Sequence, residues 1–438
     1  MKLEMKYDMS QLDLLKLGFS KMDKLLVYRQ IIDNSMFVRI RSLVMSLDNS
    51  DEHINAYYQI CYELISIAEQ DGFQGDLLQN YFIKLIATDE NYFSLACEKG
   101  FKLSLSLSQL AIHDLNILKD ILKFTLTDIG TILGVEELSF ISHYSTDNIQ
   151  KNRNPLQNNF KLLKQSFVKE KVDHIVKKLA DYYYTCGCGD LCKYSSFRWD
   201  KKTGLVGIVD TGKIKFDNII GYDQQKEKLI ENTVIFLEGN KANNVLLYGD
   251  SGTGKSSSVK ALINKFSKDG IRLVEINKDQ IKSIPEIMDR LKKRGLYFII
   301  FMDDLSFEDF ETDYKYLKAV MEGGIEEKPD NVIFYATTNR KHIIKEKWQD
   351  RDDSDIHKSD AQQEKLSLSE RFGITITYLS PDQQQYLEIV KRLAVKSKLS
   401  LPGKELTDQA LKWEKWHHGR SGRTARQFID YLIGKNLF

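Results

Sequence analysis

Along the first third of the chain, apolar residues recur mostly every three or four positions. Leu12, Leu14, Leu15, Phe19, Met22, Leu25 and Leu26 form one such stripe, with the period of a helix that buries one face. Phe160, Leu163, Phe167, Val172, Ile175, Val176 and Leu179 form a clearer one, opposite Lys164, Glu170, Lys171, Lys177 and Lys178. Short polar breaks at 48–51 and 69–72 separate segments of this kind, and no proline precedes Pro155. The pattern predicts a helical N-terminal domain over residues 1–185, whose stripes are read as core packing. No fixed-period repeat supports a solenoid.

The character changes at 186–215, where glycines cluster with Phe197, Arg198 and Trp199. This stretch reads as a connector with a short strand pair near Leu205–Val209. From residue 216 short apolar runs alternate with amphipathic helices. The runs are 245–248, 273–276, 297–302, 332–336 and 374–377. Five such strands with helices between them predict a parallel α/β sheet over 216–380. After Pro381 helical patterns return at 383–398, 408–416 and 424–433, a small helical lid over 381–438.

Composition narrows the class. The 438 residues allow about three domains, and 42% hydrophobic with 29% charged residues suits a chain with sizeable buried cores. Sixty-three Lys and Arg balance 62 Asp and Glu, so the chain as a whole has no basic excess for nucleic acid. The five cysteines, Cys61, Cys97, Cys186, Cys188 and Cys192, do not resemble a secreted disulfide framework. The opening residues lack the apolar core of a signal peptide, and the longest apolar runs are too short to span a bilayer. A cytoplasmic location without membrane partners is expected.

The candidate chemistry begins at Gly249-Asp250-Ser251-Gly252-Thr253-Gly254-Lys255-Ser256. The pattern G-x-x-x-x-G-K-[ST] lies between a strand and a helix, the context of a phosphate-binding loop. Glycines let backbone N–H groups turn inward around phosphates, and the helix N-terminus adds partial positive charge. Lys255 reaches the β and γ phosphates, and the Ser256 hydroxyl ligates Mg²⁺. The run 297–302 ends in Asp303-Asp304. An acid after an apolar strand is the Walker B arrangement, with Asp303 as the metal-side carboxylate. Asp304 stands where many such ATPases carry a glutamate that orients the attacking water. Aspartate is shorter, and Glu308 is the nearby fallback.

Three further features follow in order: Thr337-Thr338-Asn339-Arg340 after a strand, Leu366-Ser367-Leu368-Ser369-Glu370-Arg371-Phe372-Gly373 before one, and Gly419-Arg420-Ser421-Gly422-Arg423-Thr424-Ala425-Arg426 opening a helix. This order over 216–438 resembles the AAA+ ATPases. The resemblance implies that Asn339 is sensor 1, that Arg371 is a finger acting on a neighbouring subunit's ATP, and that Arg423 is the sensor 2 arginine, with Arg426 one turn on as the alternative. Phe216–Gly221, with Ile219 and Ile220, is similar to the segment that packs against adenine. Residues 243–250 and 367–373 are similar to a bacterial AAA+ family labelled as a domain of unknown function.

The resemblance implies Mg²⁺-dependent hydrolysis of ATP to ADP and phosphate by water oriented by Asp304. It also implies a homo-oligomer, a hexamer being one such assembly, acting on an unknown protein partner through residues 1–185. The aspartate at 304 leaves open a nucleotide-gated scaffold or loader that hydrolyses little. Residues 277–285 lack the aromatic–hydrophobic–glycine loop of protein-threading rings. A small-molecule kinase is disfavoured by the finger and sensor 2 segments. A DNA-binding accessory ATPase would use Arg420, Arg423, Arg426 and Lys435, without aromatic interleaving.

Three weaker signals are read as structural. The spacing of Cys186, Cys188 and Cys192 does not match zinc pairs. His417-His418 beside Trp413 and Trp416 reads as lid packing, and the mixed-charge segment 341–364 reads as a solvated loop or subunit contact.

Overall fold

The computed structural model describes residues 10–47, 50–135, 137–146, 155–210, 212, 214–306, 313–322, 327–339, 368, 370–399, 401–417 and 419–435. The chain divides into two compact units, one of 1–194 with Arg294–Leu296, the other of 195–293 with 297–438. The expected order of a helical N-terminal region, a parallel α/β sheet and a helical C-terminal unit is borne out.

The first unit is helical: α1 (Gln11–Lys21), α2 (Ser35–Met45), α3 (Asp51–Asp71), α4 (Leu77–Thr88), α5 (Tyr92–Glu98), α6 (Leu105–Ile121), α7 (Leu126–Ile132), α8 (Pro155–Lys169) and α9 (Val172–Cys186). Local sequence sets several boundaries. Ser50 caps α3 through its side chain and Gly72 ends it at φ +72°, the left-handed turn that favours glycine. Pro155 opens α8, where its missing N–H would have had no partner in any case.

Phe19, Phe37 and Phe82 meet in the core of this unit with ring centroids 6.0–6.3 Å apart. Two buried carboxylates there are well satisfied, as burial requires. The Asp114 carboxylate accepts the successive N–H groups of Leu26, Val27 and Tyr28 at 2.9, 2.6 and 3.0 Å. Glu98, fully buried, accepts Arg294 Nε at 2.7 Å and Nη2 at 2.6 Å, with the amides of Gly295 and Cys188 at 3.0 Å each. A Cβ on Gly295 would lie 2.0 Å from the Glu98 carbonyl oxygen, so this close approach requires glycine.

The second unit is built on a seven-stranded sheet ordered β2-β1-β4-β5-β6-β3-β7. Its strands are β1 (Ser196–Asp200), β2 (Gly204–Gly207), β3 (Val245–Gly249), β4 (Ile271–Glu275), β5 (Tyr297–Met302), β6 (Val332–Thr338) and β7 (Ile374–Tyr378). All neighbouring pairs are parallel except the β1–β2 hairpin. Among its helices are α10 (Asp223–Leu237), α11 (Lys255–Phe266), α12 (Ile284–Leu291) and α13 (Asp313–Glu322). Every residue of β6 is buried, and all of β5 but its first. Strands covered on both faces read as continuous apolar runs, which is why these two were legible.

Residues 186–215 do more than connect. β1 pairs in parallel with β4 and extends the sheet beyond the five expected strands. Phe197 and Trp199 are buried while Arg198 and Asp200 are exposed, the alternation of a strand buried on one face.

The lid comprises α14 (Gln383–Lys396), α15 (Gly403–Trp416) and α16 (Gly422–Lys435). Tyr386, Val390, Leu406, Ala410, Phe428 and Ile429 belong to its own core. Trp413 stacks on His417 at 3.9 Å, in keeping with lid packing. Among the described residues no helix is long and apolar enough to cross a membrane.

Candidate nucleotide site

The strand order puts the carboxyl ends of β3, β5 and β6 side by side, with β3 between β6 and β7. The chain leaves β3 for β4 on one side and crosses from β6 to β7 on the other. Ligands bind at such a switch point in open α/β sheets. The loop 249–254 follows β3 here and leads into α11.

Two glycines of the loop are set by what surrounds them. At Gly249, φ +142°, a Cβ would lie 1.9 Å from the Tyr378 carbonyl oxygen. At Gly252, φ +76°, it would meet Ser421 Oγ at 2.9 Å and Arg423 Cβ at 3.0 Å. The loop is thus pressed between β7 and the start of α16, with the Arg423 amide donating to the Gly252 carbonyl at 3.2 Å.

Lys255 is buried, and its Nζ donates to the carbonyls of Gly249 and Asp250 and to Asn339 Oδ1, each at 2.7 Å. Burial draws its pKa below the ordinary lysine value, against the opposing pull of Asp250, Asp304 and Asp303. Ser256 Oγ donates to Asp303 Oδ1 at 2.6 Å. Asn339 Nδ2 donates to Asp304 Oδ1 at 2.9 Å. The amide of Asn339 therefore turns its oxygen to the ammonium and its nitrogen to the carboxylate, the orientation that both charges require. Arg423 Nη1 donates to Ser251 Oγ at 3.4 Å. Ile219 is buried, with Cγ2 3.3 Å from where a Gly254 Cβ would stand, and Ile220 packs on the lid core.

One chain of contacts thus links Lys255, Ser256, Asp303, Asp304 and Asn339, with Arg423 on the same loop. Asp250 points elsewhere: its Oδ2 accepts the Ser380 amide at 2.9 Å and the Ser380 hydroxyl at 2.7 Å. These bonds hold its carboxyl below the usual range, the hydroxyl bond being the larger cause. Arg371 is exposed just before β7, and its carbonyl accepts Asn244 Nδ2 at 3.3 Å. Ile374 pairs with Val245 at the start of β3, and Tyr378 pairs with Gly249. Arg371 therefore stands at the opposite edge of these strands from the loop of its own chain, and the fold does not bring the two together. Glu308, His418 and 341–364 lie outside the described residues.

Sequence reasoning passed over Ser380 and Thr337. Thr337 Oγ1 donates to Asp303 Oδ1 at 2.5 Å and accepts the Asp304 amide at 2.8 Å. Only its position two residues before Asn339, at the end of an apolar run, hinted at this. Among the described residues no group of three or more His, Cys, Asp or Glu could hold a metal, and Cys186, Cys188 and Cys192 are buried and in no disulfide.

Residues 192–436 match the family described as "Protein of unknown function (DUF815)". The chain belongs to the DUF815 family. No curated protein matches it. Solved structures similar to it include the Thermotoga maritima RuvB Holliday junction branch migration motor, 16% identical over 51% of this chain and 73% of that one, with a TM-score of 0.31. Another is a substituted form of Thermotoga maritima RuvB, 15% identical over the same shares, with a TM-score of 0.32. With a phosphate-loop sequence between β3 and α11, an acidic pair after β5 and a helical C-terminal unit, this DUF815 chain has the parallel α/β sheet and lid that its sequence predicts.

Proposed function

We propose that the chain is a Mg²⁺-dependent AAA+ ATPase that converts ATP and water to ADP and phosphate. It works as a homo-oligomer and couples turnover to conformational change in a protein partner bound through residues 1–185. The observation that carries this reading is the contact chain Ser256–Asp303 and Lys255–Asn339–Asp304 at the head of α11.

The residues fit both implied groups. Ser256 Oγ and Asp303 Oδ1, 2.6 Å apart, are adjacent oxygen donors of the kind a hard cation takes. The buried ammonium of Lys255 and the amino end of α11 suit the phosphates. When bound, Mg²⁺ supplies neutralisation of charge on the phosphate oxygens. Lys255 exchanges its carbonyl and Asn339 partners for phosphate oxygens. Ile219 and Ile220 cover the adenine face. Asp304, oriented by Asn339, aligns the attacking water and accepts its proton, and Arg423 meets the phosphates from the lid. Arg371 reaches the site of a neighbouring copy, where its charge stabilises the departing phosphoryl group.

A second reading has one observation in its favour. Asp304 stands at φ +53° with its carboxylate engaged by Asn339. A carboxylate so placed, and shorter than glutamate, suits a nucleotide-gated scaffold or loader with little turnover. Steady-state phosphate release separates the two. The ATPase reading expects turnover that Lys255→Ala and Asp304→Asn abolish. The scaffold reading expects ATP-dependent assembly, negligible turnover and a gain on Asp304→Glu.

A further inference from the structure

We propose that Thr337 is a positioning residue of the metal site, holding Asp303 and the backbone of Asp304 in register with Ser256. The inference rests on the reading of Asp303 as the metal-side carboxylate. Thr337 lies near the end of β6, only 1% exposed, between β5 and β3. The register pairs Met302 with Ala336 and Leu247 with Thr337, so the first residue past β5 falls beside Thr337.

β5 does not continue straight from there. Asp304 has φ +53°, which a residue with a side chain adopts only at a steric cost. Thr337 offsets that cost from two atoms. Its Oγ1 accepts the Asp304 amide at 2.8 Å, and its carbonyl accepts the Leu305 amide at 2.7 Å.

The hydroxyl has a single proton. Because the Asp304 amide already points its hydrogen at Oγ1, the Thr337 proton is directed to Asp303 Oδ1, 2.5 Å away. Asp303 Oδ1 thus receives two hydroxyl donors, Ser256 and Thr337. When Ser256 turns a lone pair to a cation, Thr337 is the donor that stays. Supporting groups of this type orient a ligating carboxylate, and losing one costs about 10–100-fold in metal affinity or activity. Thr337 also links the two acids, since one oxygen fixes the side chain of Asp303 and the main chain of Asp304.

The test compares Thr337→Val, nearly isosteric but without the hydroxyl, with Thr337→Ser, which keeps it. Affinity for a fluorescent ATP analogue is titrated in Mg²⁺ and in EDTA on the full chain. The gain in affinity due to Mg²⁺ is expected to fall about 10-fold or more in the valine variant and to be retained in the serine variant. Affinity in EDTA should be unchanged in both. If the valine variant fails to fold, Thr337→Ala removes the hydroxyl without overfilling and is read the same way. A wild-type Mg²⁺ effect in the valine or alanine variant overturns the positioning role. So does its loss in the serine variant, or an equal loss of affinity in EDTA. A wild-type chain that binds the analogue equally in Mg²⁺ and EDTA overturns the metal-site reading itself, a distinct outcome.

Discussion

The Oδ1 atom of Asn339 accepts the ammonium of Lys255 at 2.7 Å, joining the end of β6 to the first residue of α11. The same amide donates to Asp304, so one side chain joins the ammonium of Lys255 to the carboxylate of Asp304. Asn339→Ala should therefore lower kcat with little change in nucleotide affinity, because in the proposed mechanism Lys255 exchanges Asn339 for phosphate oxygens on binding. The expected loss is about 100–1000-fold, the range for removing one positioned donor from a transition state. Single-turnover phosphate release and analogue binding on the same variant check the separation.

Arg371 stands across β3 and β7 from the loop of its own chain, so the action on ATP proposed for it requires a second copy. Arg371→Ala should lower turnover about 1000-fold or more at equal ATP occupancy. Mixing it with the inactive Lys255→Ala chain should restore part of the activity, since each supplies what the other lacks. Turnover linear in protein concentration and unchanged by mixing would remove the finger assignment.

Glu98 and Arg294 form a buried pair in the helical unit, with side-chain exposures of 0% and 15%. Glu98→Ala leaves the guanidinium with only the half-exposed Glu90 carboxylate, and breaking such a buried pair costs about 3–5 kcal/mol. Removing Asp120 from exposed Lys123, at 38% and 68%, should cost about 0–1 kcal/mol. Urea unfolding of the two variants measures the contrast.

The same pair sets a pH dependence. Burial by itself would raise the Glu98 pKa, but the bonds and charge of Arg294 hold it below its ordinary value of 4.5. A depressed carboxyl contributes stability that is fully present above the unfolded pKa and is lost as pH falls through the folded one. Stability should therefore decline below about pH 4.5 in wild type. This component should be absent from Glu98→Gln, as followed by urea midpoints across pH.

Gly249 has no room for a side chain. An added Cβ would lie 1.9 Å from one backbone atom of Tyr378 and 2.6 Å from another, and neither is the end of a flexible group. Gly249→Ala should push β7 from β3 and cost about 1–3 kcal/mol in overpacking, beyond any backbone strain. Gly419→Ala, at φ +85° with nothing within 4 Å, should show the strain alone. Thermal unfolding of both variants compares them.

The sequence by itself determined what is local. The strand–loop–helix at 245–266 was legible because a phosphate loop is encoded by glycines, Lys255 and Ser256 in consecutive residues, where chain order and spatial order coincide. The runs of β5 and β6 were legible because burial on both faces leaves them nearly continuous in apolar residues, up to the two threonines that end β6. The tertiary structure decided what is not local. The adjacency of β5, β6 and β3 brings Thr337, 34 residues on in the chain, to the hydroxyl-bonded corner of Asp303. Pairing of β1 with β4 made sheet of a glycine-rich stretch that reads as connector, since a strand of five residues carries too few alternating positions to stand out. The lid's docking on Gly252 and the turning of Asp250 to Ser380 depend on contacts across more than 100 residues of chain. No periodicity encodes such contacts, because they follow from how finished elements pack rather than from the order of residues within any one of them.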